Sequence, residues 1–125
     1  MASETATKIA NYRDLRVFQR SYGLALRIHE ITRKFPIYER RELGSQLGRA
    51  ATSIPISIAE GYGRKRSAED FKRFLVIVMG SANEVSVELT LAKDLGYLDK
   101  KTYEELEDEC DQIGRIINKL IQVWR

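Results

Sequence analysis

The chain of 125 residues is poor in the residues that make covalent or metal-bound staples: it holds one cysteine, one histidine and two prolines. Cys110 has no partner for an intramolecular disulfide, and His29 together with Cys110 leaves too few nitrogen and sulfur donors for a zinc site. No uninterrupted apolar run approaches the roughly 18 to 20 residues that cross a bilayer, and Met1 to Ala10 lacks the apolar core of a signal peptide. These absences point to a cytoplasmic protein with no membrane partner. No Pro-, Gly- or Ser-rich stretch divides the sequence, so one domain over 1–125 is expected, with 1–11 as a flexible tail.

The constellations of catalysis are missing as well. No nucleophile has an evident base, no carboxylate pair stands out, and Gly61-Tyr62-Gly63 lacks the Gly-Lys-Ser/Thr triplet of a phosphate-cradling loop. Those glycines read instead as a helix terminator. The expectation is a protein that binds and does not catalyse, and that carries no cofactor.

What the sequence does have is apolar material (43%) and charge (31%) in helical spacing. Tyr103, Leu106, Cys110, Ile113, Ile117, Leu120 and Trp124 alternate steps of three and four, the seam of a helix packed at a shallow angle, with Asp99 as its N-cap. The acidic residues from Glu104 to Asp111 mostly fall between these positions, near the helix N-terminus that favours negative charge. A second helix starts at Ser67-Ala68-Glu69-Asp70, a capping-box-like run, and ends at Gly96. Its core stripe runs from Phe71 to Ala92. Val76, Ile77, Val87 and Leu91 lie off that stripe and predict a second apolar surface for subunit contacts.

A further helix is expected over about Asp14 to Lys34, closed by Pro36, and another over about Glu39 to Gly63. The latter is rich in small residues, and its Gly44 and Gly48 read as sites of close helix packing. Pro55, in its middle, removes a backbone donor and predicts a kink. Short connections favour an all-α, antiparallel up-down-up-down four-helix bundle. The alternative is a three-helix arrangement in which Pro55 divides the segment.

Charge is uneven. Residues 1–66 carry 13 Lys/Arg against 6 Asp/Glu, and residues 67–125 carry 8 against 12. The strongest local cluster is Tyr62-Gly63-Arg64-Lys65-Arg66: the cations suit phosphates, and the tyrosine ring suits an unpaired base. Arg40 and Arg41 extend that patch. A solvated basic loop is the plainer reading of the same residues. Arg49 and Glu60, about three turns apart, are assigned to structural ion pairs reaching another helix or subunit, alongside Pro55 and Gly61 as structural positions.

Several motifs together carry a resemblance: Tyr12-Arg13-Asp14-Leu15, Ser45-Gln46-Leu47-Gly48-Arg49-Ala50-Ala51, Ser53-Ile54-Pro55, Ile58-Ala59-Glu60-Gly61-Tyr62-Gly63 and Leu95-Gly96-Tyr97-Leu98. From about Tyr12 to Trp124 the chain resembles the four-helix-bundle family encoded in intervening sequences of bacterial 23S ribosomal RNA genes, also labelled S23 ribosomal protein. It departs from that family's pattern at Ser57, where the family often has Asn. The resemblance implies a ring-like homopentamer. A more distant similarity to accessory proteins of diversity-generating retroelements implies a nucleic-acid or reverse-transcriptase partner. The expected function is a non-enzymatic, homo-oligomeric binder of RNA or DNA, with structured RNA favoured. The alternative is an oligomeric protein adaptor that touches no nucleic acid.

Overall fold

Five α-helices account for most of the computed structural model, which describes residues 9–124: α1 (Arg16–Thr32), α2 (Ile37–Arg40), α3 (Leu43–Arg64), α4 (Ala68–Asp94) and α5 (Lys100–Val123). The four long ones form a closed bundle in which α1 packs on α3, α3 on α4, α4 on α5 and α5 back on α1. There is no strand among the described residues. The four-helix architecture expected from the apolar spacing is therefore present.

The seam of α5 is the clearest case of pattern becoming contact. Leu106, Cys110, Ile113, Ile117 and Leu120 are all buried, and Tyr103 and Trp124 pack at its two ends. Asp99 caps the helix by accepting from the Thr102 amide at 2.7 Å. On α4 the buried row is Phe71, Leu75, Val78, Ala82, Val85, Leu89 and Ala92. Ser67 caps α4 by accepting from the Asp70 amide at 3.2 Å, while Asp70 accepts from the Arg66 amide at 3.0 Å. At the other end, the Tyr97 amide donates to the Ala92 carbonyl and the Gly96 amide to that of Lys93. This double closure needs the left-handed conformation that Gly96 adopts (φ 86°).

Three expectations are corrected. The segment thought to begin at Glu39 is two elements, because Arg40 to Leu43 turns between the single-turn α2 and the start of α3. Gly44 makes room for this turn: a β-carbon there would lie 3.3 Å from the Glu39 carbonyl and 3.6 Å from the Phe35 ring. Second, Gly61 and Gly63 do not end the helix, which continues to Arg64. A β-carbon on Gly61 would stand 2.6 Å from both Cβ and Cγ of Phe74, so this glycine is a point of close approach between α3 and α4. Third, residues 9–11, expected to belong to a flexible tail, are tied to the bundle. Ile9 packs on the core, and the Asn11 side chain accepts from the Arg13 amide at 2.8 Å while Asp14 accepts from the amides of Ala10 and Asn11. The rest of that expectation, residues 1–8, lies outside the described residues. Pro55 is buried within α3 and does not divide it, which disposes of the three-helix alternative.

α4 is long and apolar enough by composition to cross a bilayer. Here its apolar residues split between two faces, one inside the bundle and one outside. The outer residues Val76, Ile77, Val87, Leu91 and Leu95 are exposed, as the off-stripe pattern predicted for four of them.

A cationic groove between α1 and α3

Small residues on one side of α3 open a groove against the C-terminal half of α1. Gly48 sits directly on His29, where a β-carbon would come within 3.1 Å of the imidazole, and His29 Nε2 bonds the Thr52 hydroxyl at 2.8 Å. The groove encloses about 930 Å³ and is lined by His29 and Thr32 from α1, Arg33 just after it, Arg40 from α2, and Gly44, Ser45, Gly48, Arg49, Thr52, Ser53, Ile56, Ser57 and Glu60 from α3. Three guanidinium groups face five hydroxyls and a single carboxylate. Such a lining suits an anion that accepts many hydrogen bonds.

Two of the arginines hydrogen-bond neutral partners. Arg40 Nε donates to the Phe35 carbonyl at 3.0 Å, and Arg49 donates to the Ser45 hydroxyl. Within the chain, Glu60 meets Arg64, one turn further along its own helix, at 4.0 Å. Arg49 does bear on a residue of α4 that sequence reasoning missed. Glu88 is 8% exposed, and its Oε1 is buried with no hydrogen-bond partner. Burial raises its pKa, the neighbouring Glu84 raises it further, and Arg49 pulls it back.

The basic residues singled out from the sequence do not form one patch. Arg40 and Arg41 precede α3 and Arg64, Lys65 and Arg66 surround its other end, so 22 helical residues, about 33 Å, separate them. Tyr62 is a packing residue. Its ring meets Phe71 edge-on at 5.8 Å and Trp124 at 6.3 Å, and the Lys65 ammonium lies over one face, 3.8 Å from the centroid. One face of that ring is taken by Lys65 and its surroundings are aromatic. Arg64 is paired with Glu60, and the neighbouring Arg73 with Asp70. The groove's arginines lacked a sequence signal because Arg33, Arg40 and Arg49 converge only once α1 lies against α3.

A second cavity, about 430 Å³ between α1 and α5, also holds cations, two of which are engaged by carboxylates. Arg20 makes a two-pronged pair with Glu109, each contact 2.8 Å, and Arg115 pairs with Asp111 at 3.0 Å. Among the described residues, no group of three or more His, Cys, Asp or Glu gathers as a metal site.

With this geometry in view, comparison with known proteins gives a consistent answer. The model of the family described as 23S rRNA-intervening sequence protein matches residues 13–119. The chain belongs to that family. A solved structure from Bacteroides thetaiotaomicron, described as a protein with unknown function from the S23 ribosomal protein family, superposes with a TM-score of 0.75 at 26% identity, covering 86% of this chain and 96% of its own. No curated protein matches the chain. The matched span runs from within the 3₁₀ turn before α1 to near the end of α5, so it includes every residue of the groove.

Proposed function

We propose that this family member is a non-enzymatic, self-associating nucleic-acid-binding protein that takes the phosphate backbone of structured RNA in the groove between α1 and α3. One observation carries the reading: Arg33, just past the end of α1, Arg40 of α2 and Arg49 of α3 converge on a hydroxyl-rich channel that holds one carboxylate. Three cations on a rigid scaffold are a modest electrostatic footprint, and affinity would come from repetition. The exposed apolar row on α4 supports self-association, and a ring-like pentamer would present several grooves to one polymer. The Arg64, Lys65 and Arg66 loop at the far end of α3 would add a subsidiary contact on the same polymer.

The test is binding of the purified chain to structured RNA, single-stranded RNA and duplex DNA across a salt series, with the mass in solution measured alongside. Replacing Arg33, Arg40 and Arg49 by Gln should weaken binding and reduce the slope of log affinity against log salt by about 2 for a single strand. An unchanged slope would remove the groove. Absence of binding even at low salt would favour the adaptor reading, in which the apolar row of α4 meets another protein.

A further inference from the structure

Helix α2 presents its most apolar residues to water. Ile37 is 78% exposed and Tyr38 is 72% exposed. A single helical turn has no packing need for such an outward pair, so a contact outside the chain is the natural use of it. The setting is cationic: Arg33 and Lys34 come just before α2, and Arg40 and Arg41 close it. Of the acids nearby, Glu39 is turned away to accept from the Tyr97 hydroxyl at 2.8 Å, which leaves Glu42 as the opposing charge on this corner.

The corner is also braced. The Tyr97 ring packs on buried Phe35 at 5.5 Å, and the Tyr97 hydroxyl is held above its ordinary pKa by Glu39 and then by Tyr38. The Tyr38 ring stands in water. Two residues on, Arg40 has its Nε committed to the Phe35 carbonyl and lines the groove. An exposed aromatic ring in a cationic stretch of chain can take a base by stacking and its phosphates by charge.

We infer that Tyr38 is the platform on which an unpaired base of the bound nucleic acid stacks, with Arg40 and Arg33 taking the adjoining phosphates. The inference rests on the nucleic-acid reading above and sharpens it, because the preferred partner becomes a loop or single strand, since a duplex keeps its bases stacked inside. It also replaces Tyr62, whose ring is engaged within the bundle.

The experiment compares the full chain with its Tyr38→Ala and Tyr38→Phe variants on a fluorescent oligouridine and on a duplex RNA of equal length, by polarisation across salt. Tyr38→Ala should weaken oligouridine binding roughly 5- to 150-fold, leave the salt slope unchanged and spare the duplex, while Tyr38→Phe restores affinity. Equal losses on both polymers, or no loss on either, would overturn the inference and leave the groove standing. No binding of either polymer by the parent chain would overturn both readings. Two further readouts cover other occupants of the corner. A change of mass in solution on Tyr38→Ala would reassign it to subunit contact. Sedimentation of the parent, but not of Tyr38→Ala, with vesicles of phosphatidylcholine and phosphatidylserine would reassign it to a lipid surface.

Discussion

Two glycines in helical backbone should respond to the same substitution with opposite signs. Gly61 lies in α3 where a β-carbon would fall 2.6 Å from Phe74 Cβ and Cγ, while Gly23 lies in α1 with nothing within 4 Å. Alanine at either position gains about 1 kcal/mol of helix propensity. At Gly61 that gain meets an overlap that a rotamer change cannot relieve, because Phe74 Cβ is fixed to its own backbone. The helices must separate, and overpacking of this kind costs about 1–3 kcal/mol. With an overlap this deep the upper part of that range applies, giving a net loss of about 2 kcal/mol. For a chain of this length 1 kcal/mol corresponds to about 4 °C in melting temperature. Gly61→Ala should therefore melt roughly 8 °C below the parent and Gly23→Ala roughly 4 °C above it. Thermal unfolding followed by circular dichroism at matched concentration reads both, since self-association would make the midpoint concentration-dependent. A Gly61→Ala variant that melts at or above the parent would refute the close-approach argument and restore the helix-terminator view of that glycine.

Glu88 and Cys110 supply two more tests. A carboxyl whose folded pKa is raised favours the folded state below its ordinary value of 4.5 and loses that contribution as pH rises through the folded value. Glu88→Gln should therefore unfold at a higher denaturant midpoint than the parent at pH 7, by about 1 kcal/mol, and lose that advantage by pH 4. A variant less stable than the parent at pH 7 would mean that attraction to Arg49 outweighs burial. Burial pushes the Cys110 thiol up to about 12, with Glu107 and Glu109 adding to the shift. The folded protein at pH 8 should resist a thiol reagent that labels it within minutes in denaturant; fast labelling of the native chain would contradict the packing of α5.

The framework of the bundle was readable because it rests on repeats. The alternation of three and four along α5, the serine cap at Ser67 and the stop at Gly96 each act over one or two turns of chain, and each is found where the spacing puts it. The errors arise where one signature serves two purposes. A glycine pair after a long helix looks like a terminator, yet Gly61 is small because Phe74 needs the space. The start of α3 was misplaced because Glu39 and Arg40 read as its first turn, across a break that only the approach of Glu39 to Gly44 reveals. The site was least legible of all. Neighbours in sequence suggested Arg64 to Arg66 with Tyr62, but convergence of Arg33, Arg40 and Arg49 depends on how α1 lies on α3, and Tyr62 was drawn into the core by Phe71 and Trp124.

The joint between α1 and α3 owes little to the interior. From Arg33 to Glu42, Phe35 alone is buried. Substitutions elsewhere in that stretch would change what the corner offers a partner without disturbing the bundle, so recognition and stability can vary independently here. Relatives with the same four-helix scaffold are free to carry different corners, and an engineer seeking a new specificity would randomise these ten positions, sparing Phe35, before touching any long helix.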